Sequence, residues 1–295
     1  MIEGQALYER AYTGLRKSLR CRPIPNHYPS GYIPRIEDSL QQVDYIRSQS
    51  EITVVMLNLD FAERLLSLGL DSTCFGSNIE TITTSTIHDD KLPRFHTIKE
   101  AEIVRDFGPT WHVPCDRPIY FTQSPKERSW YLQNQLQATL ELNRLLADSG
   151  ICIIPLLKGV NHDELAHCHS VFKSEGLEYF AYYAAQYFGG SRGNRRRQLI
   201  TDIRAMVTNL NIDYLMIIGI QAPSILHYMP PEVKAFAGLD CMKKRFWNHI
   251  GVAPTFSSPG STEKSLSPMG YSRLDVLNSK WEHKDLRMFA KWVQK

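Results

Sequence analysis

Apolar residues along the chain fall into two recurring patterns, short apolar runs and longer segments with helical spacing. The runs Ile52–Leu59, Ile151–Leu157 and Tyr214–Ile220 are mostly apolar, and each predicts a buried strand. Residues Gln133–Asp148 instead place leucines at spacings of three and four, which predicts an amphipathic helix. Strands and helices therefore alternate along the middle of the chain.

The remaining segments continue this alternation. Further strands are predicted at Trp111–Cys115, Tyr179–Ala185 and Ala235–Leu239, and further helices at Asp163–Ser174 and Arg196–Leu210. Apolar strands that alternate with helices are typical of a parallel sheet covered by helices, either doubly wound or closed into a barrel. No G-x-G-x-x-G follows a predicted strand, so dinucleotide binding has no support. The length suits a barrel of about 250 residues, and we predict an α/β fold of the (β/α)8 TIM-like type.

The two ends of the chain lack this alternation. Four prolines lie within Arg22–Arg35, and the stretch Gly251–Gly270 is rich in Ser, Pro, Thr and Gly. The sequence thus predicts an irregular N-terminal segment over residues 1–50 and a catalytic barrel over residues 51–250. Residues 251–295 are predicted to form a loop and a C-terminal helix that packs on the barrel.

Composition excludes several classes of protein. Of 295 residues, 43% are apolar and 22% are charged, which argues against disorder. Six cysteines are too sparse for a disulfide scaffold, and the apolar runs are too short to cross a membrane. The N-terminus MIEGQALYER has no apolar core of a signal peptide. We therefore expect a cytoplasmic protein with free thiols and no membrane partner.

Positive charge is concentrated in two places although the net charge is only +3. One cluster consists of Arg192, Arg195, Arg196 and Arg197, and the other of Lys243, Lys244 and Arg245. Either cluster alone is typical of a solvated face. Together, with Phe246 and Trp247 directly after the second cluster, they indicate a polyanionic partner whose phosphates these side chains would hold.

Candidate chemistry lies where strands are predicted to end, because barrels carry catalytic groups at the carboxyl ends of their strands. These positions are Asp71, Asp116, Lys158-Gly159, Gln186 and Asp240. Alternatively, an aspartate at such a position can simply cap the next helix. Several carboxylates around one pocket suit displacement at a sugar carbon, since one attacks the anomeric carbon and another transfers a proton. A further carboxylate can hold a base by its N–H edge.

Five motifs follow one another in a consistent order between Asp71 and Cys241. They are Asp71-Ser72-Thr73-Cys74-Phe75, Phe107–Asp116, Leu157-Lys158-Gly159, Tyr214–Ile220 with Ala222-Pro223, and Gly238-Leu239-Asp240-Cys241. In order and local sequence this set resembles the tRNA-guanine transglycosylases. The resemblance is strongest to the relatives that insert 7-deazaguanines into DNA, the DpdA type.

The resemblance implies an enzyme that exchanges guanine in nucleic acid for a 7-deazaguanine through a covalent aspartyl-nucleoside intermediate, without a cofactor. It implies that Asp240 is the nucleophile and Asp71 the general acid/base. The base-binding residues it implies are Asp116, Lys158, Gly159, Gln186 and Ser72.

The chain departs from the family pattern at its metal site. The family's Cys-x-Cys-x-x-Cys with a distant His does not follow Asp240, where only Cys241 and His249 occur. We therefore predict that the zinc subdomain is absent and that no metal is bound. Because that subdomain belongs to the tRNA-binding architecture, its loss favours DNA over tRNA. Lys158 stands where the family has glutamine, and a lysine can only donate hydrogen bonds.

Three alternatives stay open at this point. The same exchange could act on tRNA, or the chain could be a catalytically silent nucleic-acid-binding subunit. An unrelated barrel hydrolase could use a metal held by His162, His167, Cys168 or His169, although the H-E-x-x-H spacing typical of a metal-binding helix is absent. The sequence also leaves open whether partner proteins or a second copy of the chain take part.

Overall fold

The computed structural model describes residues 27–37, 39–188, 195–219, 225 and 228–238. The strands are β1 (Gly31–Ile36), β2 (Val54–Asn58), β3 (Glu80–Thr84), β4 (Trp111–Val113), β5 (Cys152–Ile153), β6 (Leu156–Leu157), β7 (Tyr179–Tyr183), β8 (Tyr214–Ile218) and β9 (Val233–Gly238). The α-helices are α1 (Leu40–Ser48), α2 (Leu59–Ser67), α3 (Thr97–Phe107), α4 (Pro125–Leu146), α5 (His162–Ser174) and α6 (Arg196–Leu210). Short 3-10 helices cover Ser72–Phe75, Leu92–Arg94 and Ala185–Tyr187.

All nine strands belong to one parallel sheet in the order β5-β4-β3-β2-β1-β9-β8-β7-β6. The two ends of this order, β5 and β6, are separated along the chain only by Ile154 and Pro155. The Ile154 N–H donates to the His112 carbonyl of β4 at 2.8 Å, and the Ala181 N–H of β7 donates to the Pro155 carbonyl at 2.9 Å. The sheet is therefore strongly curled.

The concave side of the sheet is filled by apolar side chains. Residues from both halves of the strand order form one buried cluster, which includes Met56 of β2, Trp111 of β4, Tyr179 of β7 and Met216 of β8. Side chains from opposite parts of a flat sheet do not share a cluster of this kind. The curled sheet thus encloses a packed core, as the strands of a TIM-like fold do.

The helices cover the convex side in two groups. Helices α1 to α4 bury their apolar faces in one cluster with β2, and α5 and α6 do so in a second cluster with β7 and β8. Helix α4 begins with a capping box, in which the Ser124 hydroxyl accepts from the Glu127 N–H and the Glu127 side chain accepts from the Ser124 N–H. Amphipathic helices on one side of continuous apolar strands account for the α/β class.

The predicted alternation is confirmed for the described residues. Helix α6 has the bounds predicted for it, and the predicted strand at Ile151–Leu157 is divided into β5 and β6 around Pro155. Pro155 has no N–H to donate to a neighbouring strand, although its carbonyl accepts from the Ala181 N–H.

The prediction that residues 1–50 are irregular is wrong for residues 31–48. Strand β1 and helix α1 lie there, and β1 pairs with both β2 and β9, so the sheet begins before the predicted boundary at residue 51. Pro34 suggested an irregular segment, but proline is compatible with extended backbone and lies within β1. Residues 251–295, with their predicted loop and helix, lie outside the described residues.

No helix in the described ranges has the length and apolar content to span a bilayer.

Candidate active site

The carboxyl ends of the parallel strands meet at one edge of the curled sheet and surround a pocket of about 910 Å³. Asp116 comes after β4, Lys158 directly follows β6, and Gln186 comes after β7. All three line this pocket, together with Gly159. The structure therefore brings together four of the residues predicted to contact a base.

An ion pair between Asp116 and Lys158 lies in this pocket. The Lys158 Nζ and Asp116 Oδ1 atoms are 2.6 Å apart, and their side chains are only 16% and 7% exposed. Burial raises the pKa of Asp116, although the charge of Lys158 opposes that shift and the charge of Asp89 adds to it. The carboxylate is thus incompletely compensated for its loss of water, and it gains from any further N–H donor that a ligand supplies.

The loop after β6 holds Lys158 in place through Gly159 and helix α5. The Val160 N–H donates to Glu164 Oε2 at 2.8 Å, and the Arg128 Nε atom donates to Glu164 Oε1 at 2.9 Å. A Cβ atom on Gly159 would lie 2.9 Å from the Glu164 Cβ atom. Only glycine therefore fits the close approach of this loop to α5.

The backbone at Asp116 is fixed by the neighbouring strand β3. The Asp116 N–H donates to the Ser85 hydroxyl at 2.9 Å, and the Ser85 N–H donates to the Val113 carbonyl at 3.0 Å. Ser85 directly follows β3, so the loop after β4 is tied to its neighbour at the same edge of the sheet.

A buried arginine and asparagine, which were not predicted from the sequence, form another part of the pocket wall. Arg35 lies on β1 and Asn58 ends β2, and both side chains are buried. The Arg35 Nε atom donates to Asn58 Oδ1 at 3.1 Å, and its guanidinium also donates to the Thr86 carbonyl. The sequence feature that could have indicated this part of the wall is Asn58, a polar residue at the end of an apolar strand.

A carboxylate on the loop after β3 also faces the pocket. Asp89 accepts a hydrogen bond of 2.5 Å from the Tyr120 hydroxyl. Burial and this bond to Asp89 raise the pKa of Tyr120, so its hydroxyl stays protonated and donates. Tyr120 therefore orients Asp89 beside Asp116.

Gln186 lies between this pocket and a second cavity of about 450 Å³. The second cavity also contacts Gly159, Phe121 and Arg195. Along one wall of the second cavity, the Tyr182 and Tyr187 hydroxyls are 3.1 Å apart, and the Tyr187 hydroxyl donates to Asp202 at 2.7 Å. The linings of the two cavities share Gly159, Tyr182 and Gln186.

Asp71 and Ser72 lie elsewhere, and the prediction that Asp71 ends a strand is wrong. Asp71 comes after helix α2 and before β3, and its carboxylate caps the 3-10 helix by accepting from the Thr73 N–H at 2.9 Å. The Ser72 hydroxyl donates to the carbonyl of Gly108, which precedes β4. Both residues therefore lie at the amino-terminal edge of the sheet. The error arose because helix α2 between β2 and Asp71 was not recognised.

The other predicted residues are only partly described. Asp240, Arg192, Lys243, Lys244 and Arg245 lie outside the described residues. Arg195 precedes α6 and contacts the second cavity, and the Arg196 guanidinium lies 4.8 Å from the ring centre of Tyr228. Arg197 is exposed on the first turn of α6. The described part of the first basic cluster is thus next to the second cavity.

The histidines of α5 have different surroundings. His169 is buried against the Phe180 ring, with ring centres 4.9 Å apart, and burial lowers its pKa. The His167 ring contacts Gln133. Within the described ranges, no group of three or more His, Cys, Asp or Glu side chains is arranged to hold a metal ion.

No protein-family model and no curated protein matches this chain.

Proposed function

We propose that this protein exchanges guanine in nucleic acid, with DNA the favoured substrate, for a 7-deazaguanine base. The observation that supports this proposal most strongly is the Asp116–Lys158 pair, buried in a large pocket at the carboxyl edge of the sheet. In parallel α/β folds this edge is where ligands bind.

The proposal includes a complete (β/α)8 barrel, in which residues 152–157 act as one strand. Its support is that β5 and β6 belong to the same short stretch of chain and pair with β4 and β7, respectively. In a barrel closed in this way, the loops that follow β4 and β6 lie around one central pocket.

The paired charges suit the hydrogen-bonding edge of guanine. Guanine presents the O6 acceptor beside N1–H and N2–H donors. Asp116 can accept from the two N–H groups while Lys158 donates to O6. A 7-deazaguanine has the same edge, because it differs from guanine on the five-membered ring. One pocket can therefore receive both the leaving and the entering base.

In the proposed reaction, Asp240 supplies the nucleophile. Strand β9 ends at Gly238, two residues before Asp240 in the sequence. The Asp240 carboxylate attacks the sugar C1′ atom, and the bond from C1′ to N9 of guanine breaks as the base takes up a proton. The 7-deazaguanine then loses its N9 proton, attacks C1′ and frees the carboxylate. Atoms and electrons balance without an oxidant or a cofactor.

Proton transfer in this scheme belongs to Asp89 rather than Asp71. Asp89 lines the pocket and is oriented by Tyr120, whereas Asp71 lies at the other edge of the sheet. A general acid has to reach the base within hydrogen-bond distance, directly or through one water. We therefore transfer the role that the family resemblance implies for Asp71 to Asp89.

Exposed aromatic side chains beside the pocket support a nucleic-acid partner. The rings of Tyr120 and Phe121 are 43% and 57% exposed, and both belong to the loop that follows Asp116. Such rings stack on unpaired bases. A target base has to leave the duplex to enter the pocket, and its neighbours are then available for stacking.

The proposal is tested by incubating purified protein with labelled guanine and, in parallel, duplex DNA, single-stranded DNA or tRNA. We expect label in DNA, lost in Asp240→Ala, strongly reduced in Asp116→Asn and Lys158→Met, and unchanged in the matched control Asp71→Asn. Label in tRNA alone would retain the chemistry and overturn the substrate. Salt-sensitive binding without label in any nucleic acid would instead indicate a silent binding subunit.

A further inference from the structure

A buried acid and a buried histidine lie next to the loop that carries Asp116. Glu100, in the first turn of α3, is 1% exposed, and His112, on β4, is 0% exposed. The His112 Nε2 atom lies 2.8 Å from Glu100 Oε1. Since a carboxylate only accepts hydrogen bonds, the imidazole donates in this pair. Neither residue lines the pocket, and neither is among the predicted site residues.

The same Glu100 oxygen also holds the residue before Asp116. The Cys115 N–H donates to Glu100 Oε1 at 3.0 Å, and the Cys115 thiol lies 3.8 Å from Glu100 Oε2. Cys115 has a φ of 56°, a left-handed conformation that a residue with a side chain rarely adopts. Such a conformation persists only where surrounding contacts fix it.

His112 anchors this arrangement to the sheet. Its Nδ1 atom lies 2.8 Å from the Thr83 hydroxyl and 3.1 Å from the Thr83 carbonyl oxygen. Thr83 is the register partner of His112 on β3 and is itself buried. The imidazole therefore joins β3 to Glu100, and Glu100 joins both to the strained backbone at Cys115.

Packing alone does not explain these residues. An apolar pair would fill the space between α3 and β4 without the cost of burying a carboxylate. What the polar pair provides is a fixed acceptor for the Cys115 N–H. Directly after this turn, the Asp116 Oδ1 atom lies 2.6 Å from the Lys158 Nζ atom.

We infer that Glu100 and His112 are positioning residues, which hold Cys115 in its left-handed conformation and thereby orient Asp116 toward Lys158. The inference rests on the proposed function only where it calls Asp116 a base-reading residue. The geometric claim can be tested without any substrate, so its failure and the failure of the proposed function are distinguishable.

The test measures how fast Lys158 reacts with an amine-acylating reagent under native conditions, with peptide mass mapping. Asp116→Asn gives the value for a Lys158 released from its pair. We expect Glu100→Ala to raise Lys158 labelling by about tenfold, because a hydrogen bond to a charged group is worth at least that factor. Glu100→Gln should stay near wild type, since the His112 imidazole and the Cys115 N–H both bond to Oε1 and the amide oxygen can accept both bonds.

Two internal controls separate positioning from general loosening of the core. Cys168 is fully buried on α5, where its thiol lies 3.9 Å from the Leu156 carbonyl oxygen, and it should stay unreactive in every variant. Glu102→Ala changes an exposed residue of the same helix and should leave Lys158 protected. If Glu100→Ala does not fold, Glu100→Asp provides the same test, because its carboxylate is one methylene too short.

The inference is overturned if Lys158 stays protected in folded Glu100→Ala or Glu100→Asp. It is also overturned if Cys168 becomes reactive together with Lys158, since Glu100 would then only stabilise the core. If guanine binds the wild type, its affinity should fall in Glu100→Ala and recover in Glu100→Gln. An affinity equal to wild type in Glu100→Ala contradicts the inference.

Discussion

Replacing Lys158 by methionine leaves the Asp116 carboxylate buried without its counter-charge. At 2.6 Å and an effective dielectric constant of about 20, the attraction between the two charges is about 6 kcal/mol before the cost of burying them. That cost is substantial, because burial raises the pKa of Asp116 even with Lys158 present. The net loss of stability is therefore smaller than the gross attraction.

Protonation sets the upper limit of this loss. Without Lys158, the pKa of Asp116 in the folded protein rises further above its unfolded value of about 3.9. Protonating such a carboxyl group at pH 7 costs about 4 kcal/mol, and breaking a buried pair generally costs about 3–5 kcal/mol. We expect Lys158→Met to lower the free energy of unfolding at pH 7 by about 3–4 kcal/mol.

The loss should depend on pH with a defined sign. Between the unfolded and the folded pKa of Asp116, the folded variant binds more protons than the unfolded chain, so its stability falls as the pH rises. Near pH 4 the carboxyl group is protonated at little cost. Lys158→Met should then approach the stability of the wild type.

Urea unfolding at pH 7 and pH 4 measures both effects. The matched control is Lys91→Met, which removes an equally short pair with Asp60, but one whose lysine is 46% exposed. Exposed pairs contribute only about 0–1 kcal/mol. In an Asp116→Asn background, Lys158→Met should cost little. A loss below about 1 kcal/mol at pH 7, or an equal loss at both pH values, would refute this reasoning.

Four further outcomes are expected. Gly159→Ala should lower the free energy of unfolding by about 1–3 kcal/mol, because its Cβ would collide with Glu164; unchanged urea stability would contradict the close approach. Asp71→Ala should cost about 1 kcal/mol through the lost cap without reducing exchange; loss of exchange in folded protein would return Asp71 to the chemistry. Phe121→Ala should weaken single-stranded DNA binding about tenfold, whereas Leu68→Ala, exposed beyond α2, should not; equal effects would exclude stacking. DNA binding should weaken with added salt, and a flat salt response would exclude backbone contacts.

Much of the fold could be predicted because its strands are apolar and its helices amphipathic. Helix α6 was predicted with its observed bounds, since its leucine, isoleucine and methionine side chains repeat at helical spacing. The N-terminal strand β1 was missed because its Pro34 suggested a break. Pairing with β2 and β9 stabilises this strand, and such long-range contacts leave no local signal.

The candidate site shows the same division between local and long-range information. Asp116, Lys158 and Gln186 could be found because each follows an apolar strand, and parallel strands bring their carboxyl ends together. Asp71 was misplaced because α2 is short and was not recognised between β2 and β3. Glu100 was missed because a carboxylate in the first turn of a helix is ordinary in sequence, and only tertiary contacts reveal that it is buried.

The central claim is tested most directly by trapping the covalent intermediate. Protein and guanine-containing DNA are incubated without an incoming base and quenched in denaturant, and the adduct is located by peptide mass mapping. We predict a sugar-linked adduct on the peptide that contains Asp240, absent in Asp240→Asn and retained in Asp71→Asn. An adduct on another residue, or its absence under conditions in which exchange occurs, would contradict the account.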